Sequence, residues 1–74
     1  MTSEEHLKII SQRIKELRIE KGVAVYKMAQ DLKIGHASIQ GWEKGVTGIT
    51  SYTLVKLAKY FGVTTDYLVG LSDS

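Results

Sequence analysis

A chain of 74 residues without cysteine reads as one domain that packing alone must stabilise, since neither a disulfide frame nor a thiolate metal site is open to it. Folding at this size buries only about 60% of the unfolded surface, which argues against a deep active-site cavity. Ten Lys and Arg against eight Asp and Glu give a net charge of +2, too small to establish a nucleic-acid partner, yet nine basic and only four acidic residues lie between Arg13 and Lys59, so the middle of the chain is its basic part.

Leu7, Ile10, Ile14 and Leu17 recur at three- and four-residue spacing. Thr2 with Glu5 has the S/T-x-x-E form of a capping box, which predicts a first helix from about Ser3 to Lys21, closed by Gly22. A second helical stretch, about Val25 to Leu32, presents Met28, Ala29 and Leu32. The third lies in LKIGHASIQGWEKG, with Gly35 before it and Gly45 ending it. Ile39 and Trp42, three apart, share one of its faces, while His36, Ala37, Gln40, Gly41 and Lys44 fall together on the other. VTGITSY is loop by composition; Thr50 then caps a fourth helix whose stripe is Leu54, Leu57, Ala58 and Phe61, ended by Gly62. Thr64 caps a last short turn through Tyr67 and Leu68 before Gly70. No useful length alternates with period two, and there is no proline, repeat or linker. The expectation is an all-α fold, a compact bundle of five helices forming a single domain over residues 1–74.

A helix-turn-helix needs small and apolar residues where its helices cross, a tight turn, and a second helix with one face free to enter a DNA groove. Between Val25 and Lys44 the inward places are filled by Met28, Ala29, Leu32, Ile34, Ile39 and Trp42, with the small Ala29 where the backbones approach most closely. These places in fixed register put the unit at about residues 25–44.

With these residues in view, the chain resembles the lambda-repressor-like DNA-binding domains of phage repressors, Cro proteins and small bacterial regulators. RIKELRIEKGV (Arg13 to Val23), MAQDLKIG (Met28 to Gly35), SIQGWEKG (Ser38 to Gly45) and LVKLAKYFGVTTDYLVG (Leu54 to Gly70) match that pattern in order and spacing. The resemblance implies a five-helix lambda-repressor-like bundle, dimeric on DNA, with the third helix in the major groove. It also implies an ion pair between Arg18 and Glu43. Two departures stand out: Ala24 and Val25 replace the usual Ser/Thr and Gln, removing a side-chain cap and a polar contact, and Lys33 stands in the turn where glycine is common. That position calls for a left-handed backbone, which costs a non-glycine residue roughly 1 kcal/mol.

On the recognition helix the family pattern makes His36, Ala37, Gln40 and Gly41 the base-facing set. Gln40 can pair with adenine, His36 can bond a base edge or a phosphate, Ala37 can touch a thymine methyl, and Gly41 lets the backbone approach. Lys27, Lys33 and Lys44, with Thr47 and the backbone near Gly48 and Ser51, are the expected phosphate contacts. Trp42 is read as core. Tyr52, Val55, Tyr67, Val69 and Leu71 supply more apolar surface than a core of this size needs, and part of the set is expected at a homodimer interface, because a palindromic operator requires two copies at fixed spacing.

The function expected is a sequence-specific transcriptional regulator, a phage or bacterial repressor bound to double-stranded operator DNA; the alternative is a helix-turn-helix repurposed for protein binding. No serine-histidine-acid arrangement, glycine-rich phosphate loop or paired carboxylates suggest an enzyme. Two histidines thirty residues apart argue against a metal, and no cofactor or small-molecule ligand is indicated. No apolar run approaches the roughly 18 residues of a membrane span, and MTSEEHLK lacks the order of a signal peptide, which fits the cytoplasm.

Overall fold

The computed structural model describes residues 3–46 and 48–73, except for the side chain of Ser3. Thr2 of the expected capping box, and Thr47, lie outside the described residues. Five helices follow one another: α1 (Ser3–Lys21), α2 (Val25–Leu32), α3 (His36–Lys44), α4 (Ser51–Phe61) and α5 (Thr65–Val69). Their ends are written in local chemistry. The Thr50 and Thr64 hydroxyls accept from the backbone N–H of Thr53 and Tyr67, capping α4 and α5. At the other ends the chain passes into left-handed residues that return their N–H groups to the last-turn carbonyls.

The helices close around one core: Ile10 and Ile14 of α1; Met28, Ala29 and Leu32 of α2; Ile39 and Trp42 of α3; Leu57 and Ala58 of α4; Leu68 of α5. Ile14, Met28, Ile39, Leu57 and Leu68 are fully buried, each contributing about 1.5–3 kcal/mol relative to exposure. Packing of α1 on both α3 and α5, and of α2 on α3, makes α1 the brace behind the helix-turn-helix.

The C-terminal end is fastened to α1 by polar groups. The Arg13 guanidinium donates to the carbonyls of Tyr67 and, at 2.9 Å, Ser72, and lies 4.3 Å from the Tyr67 ring centroid. His6 Nδ1 donates to the Val69 carbonyl at 3.1 Å. Gly70, at φ +88°, passes so close to α1 that a Cβ would lie 3.0 Å from Ile9 Cγ2. Of the residues expected at a dimer face, Tyr67 is half-buried under Arg13 and Val69 packs against the core. Tyr52, Val55 and Leu71 do stand exposed.

Candidate nucleic-acid interface

The two faces of α3 are separated by burial. Ile39 and Trp42 are in the core, whereas His36, Ala37, Gln40 and Lys44 are exposed. Gly41 is a correction. A period of 3.6 residues places it among the outward set, yet it is buried. It has no Cβ, and its carbonyl is taken up by the N–H groups of Gly45 and Val46, the latter at 3.0 Å. Buried in this way, Gly41 offers no surface to a base. Of the residues expected to face bases, His36, Ala37 and Gln40 stand exposed in the first two turns, followed by Lys44 in the last.

What holds this helix at a fixed angle is polar as well as apolar. Arg18 Nε donates to Glu43 Oε2 at 2.7 Å and its Nη2 to Oε1 at 3.1 Å, while Nη1 donates to the Val23 carbonyl at 2.9 Å. One guanidinium so ties the end of α1, the α1–α2 connection and α3 together. The hydrogen bond to Glu43 raises the Arg18 pKa above its ordinary value, with burial acting in the opposite direction. Side-chain exposures of 16% and 10% put the pair well out of the screened surface regime.

The turn between the helices has the geometry that its sequence suggested. Lys33 sits at φ 57°, ψ 46°, the left-handed region, and is the single non-glycine residue at positive φ among the described residues. Its N–H reaches Gln30 O at 3.2 Å and the N–H of Ile34 reaches Ala29 O at 3.0 Å, so the backbone closes α2 at the expense of a strained side-chain position. Neither Ala24 nor Gly35 caps its helix with a side chain.

Of the expected phosphate contacts, Lys33, Lys44, Gly48 and Ser51 are exposed. Lys27 is engaged elsewhere: its Nζ donates to Asp31 Oδ1 at 2.8 Å, and Tyr60 Oη donates to Asp31 Oδ2 at 2.6 Å. The Lys27 hydrogen bond, followed by that from Tyr60, lowers the Asp31 pKa, and the bond to Asp31 raises that of Lys27. Burial first, and the bond to Asp31 second, push the Tyr60 phenol up to about 12. With Lys27 and Asp31 turned toward Tyr60, helical spacing leaves exposed Tyr26 and Gln30 on the opposite flank of α2. Tyr26 is 68% exposed, an aromatic at the first turn of α2 that lies off its apolar stripe. No helix among the described residues is long and apolar enough to cross a membrane.

A family model described as Helix-turn-helix matches residues 14–68, a span that contains α2, α3 and both partners of the Arg18–Glu43 pair. The chain is 33% identical over 61 residues to the HTH-type transcriptional regulator ImmR of Bacillus subtilis (strain 168), an alignment covering 82% of this chain and 48% of that protein. It is 30% identical over 66 residues to the cryptic phage CTXphi transcriptional repressor RstR of Vibrio cholerae, covering 89% of this chain and 60% of that protein. The chain thus spans about half to three fifths of the length of these curated relatives.

Proposed function

The chain belongs to the helix-turn-helix family, and we propose that it is the sequence-specific DNA-binding domain of a transcriptional repressor. The observation that carries this reading is α3 itself: one face locked by Ile39, Trp42 and the Arg18–Glu43 pair, the other left exposed as His36, Ala37, Gln40 and Lys44. A helix so anchored presents its outward side chains at a defined angle, which base readout in the major groove requires. Gln40 reads adenine through its amide, His36 bonds a base edge and Ala37 contacts a thymine methyl. Lys33 and Lys44, with the backbone at Gly48 and Ser51, bear on phosphates and set the register.

Both relatives are named as transcriptional regulators; this supports a regulatory DNA partner rather than a substrate, and a place in the cytoplasm. Two copies act on one palindromic site, meeting through the exposed Tyr52, Val55 and Leu71. Selection from a random double-stranded pool tests the proposal. A symmetric motif with half-sites about 10 base pairs apart, bound with a steep salt slope, is expected. Absence of salt-dependent DNA binding would overturn it in favour of a domain turned to protein binding.

A further inference from the structure

Half of the ten cations of this chain are already committed within the fold. Arg13 holds the C-terminal carbonyls, Arg18 holds Glu43, Lys27 holds Asp31, Lys21 lies 4.9 Å from the Tyr60 ring centroid, and Lys56 donates to the Leu32 carbonyl at 2.9 Å. Among the described residues, Lys8, Lys15, Lys33, Lys44 and Lys59 keep ammonium groups without a partner. A lysine that binds phosphate must come from this second group, because breaking an existing pair would cancel the gain.

Two clefts bring members of that group together. Lys33 and Lys59 line one beside Asp31, but α3 supplies none of its walls. Lys8 and Lys44 line the other, between the first half of α1 and the end of α3, over a floor of Leu7, Ser11 and Gly45. The Ser11 hydroxyl donates to the Lys8 carbonyl at 3.0 Å, and a Cβ on Gly45 would lie 3.6 Å from that hydroxyl. The cleft walls are thus held close by backbone and core packing. Lys44 belongs to two surfaces at once: it is one turn beyond Gln40 on the outward face of α3 and it walls this cleft. The cleft therefore opens beside the reading face, and Lys8 is the cation that α1 adds to it.

We infer that Lys8 and Lys44 together seat one DNA backbone phosphate at the end of α3, an assignment that rests on the DNA-binding reading above. Glu4, on the same wall, opposes the phosphate and weakens the seat. The α3 carbonyls do not add to that repulsion in full, since the N–H groups of Gly45 and Val46 turn back onto Gly41 and Trp42.

The test uses the whole chain and a duplex site from a random-pool selection, titrated by fluorescence anisotropy between 50 and 200 mM KCl, with random-sequence duplex alongside. Loss of one phosphate contact makes the log–log salt slope shallower by about 0.9. Lys8→Ala should show that change on both duplexes, so that its affinity deficit shrinks about 3.5-fold from 50 to 200 mM salt. Glu4→Gln should tighten binding about two- to threefold, the size of an exposed charge effect. Lys21→Ala, about 20 Å farther along α1, removes the same charge and should leave the slope unchanged. Lys8 is exposed in a helix, so thermal unfolding of Lys8→Ala should match wild type. A wild-type slope for Lys8→Ala, while the parent binds DNA, overturns the seat and leaves the DNA-binding reading intact. A parent chain without salt-dependent binding overturns both.

Discussion

Replacing Lys33 with glycine sets two energies of similar size against each other. At φ 57° and ψ 46° the Lys33 Cβ crowds the following carbonyl, a cost of about 1–2 kcal/mol that glycine does not bear. Glycine in return loses about 0.5–1 kcal/mol through the greater freedom of its unfolded chain. The backbone bonds of the turn, Lys33 N–H to Gln30 O and Ile34 N–H to Ala29 O, survive the change, and the Lys33 ammonium has no partner to lose among the described residues. The net is a gain of about 0.5–1 kcal/mol. Urea unfolding followed by Trp42 fluorescence should show a higher midpoint with an unchanged m-value. Lys33→Ala, which keeps the Cβ, should show no such gain, so the pair of variants separates backbone relief from removal of charge. A lower midpoint for Lys33→Gly would refute the assignment of strain. The same variant should bind DNA more weakly, because the proposed phosphate contact leaves with the side chain; the more stable protein is then the poorer binder.

Other outcomes follow from the same contacts. Arg18→Met and Glu43→Gln should each destabilise by about 3 kcal/mol, because either leaves a largely buried polar partner unmatched; a double-mutant cycle without coupling would refute the pair. Tyr60 holds its proton to about pH 12 in the fold but only to about pH 10 in the unfolded chain. Its contribution is therefore complete below about pH 10 and lost as pH rises toward 12, so the stability difference between wild type and Tyr60→Phe should narrow across that window, and a pH-independent difference would contradict it. Gln40→Ala should cost about 1–3 kcal/mol on the selected site and much less on random DNA, whereas Lys44→Ala should weaken both alike and make the salt slope shallower by about 1; exchange of these two phenotypes would invert the roles assigned to the outward face.

The helix bounds were legible because their determinants are local. Gly22, Gly45, Gly62 and Gly70 supply left-handed caps, and Thr50 and Thr64 supply hydroxyl ones within three residues of their targets. The left-handed Lys33 was legible for the same reason, as a departure from a family pattern at one turn. Errors arose where the outcome depends on distant chain. Nothing in HASIQGWEK says that Gly41 is buried while Gln40 and Lys44 stay exposed. Tyr67 read as spare apolar surface because the guanidinium that occupies its face comes from Arg13, 54 positions away. Lys27 looked free although Asp31 lies one turn on; Tyr60, which fixes that carboxylate from its other oxygen, is 29 positions away. Lys8 carries no signal in the sequence because only the packing of α1 on α3 brings it beside Lys44.

Burial of Gly41 changes how much specificity one copy can supply. With His36, Ala37 and Gln40 left on the outward face, Gln40 is the single side chain able to make a bidentate contact to a base, worth about 1–3 kcal/mol of discrimination. Regulators separate their sites from random DNA by about 4–10 kcal/mol. One copy falls short of that gap even with a hydrogen bond from His36 added, whereas two copies on a symmetric site bring about 2–6 kcal/mol from Gln40 alone. The proposed pairing through Tyr52, Val55 and Leu71, exposed at 75%, 45% and 70%, is therefore what the short reading face demands. Charged substitution at Val55 should then reduce affinity for the selected site far more than for random DNA, since phosphate contacts made by a single copy persist when the second is lost.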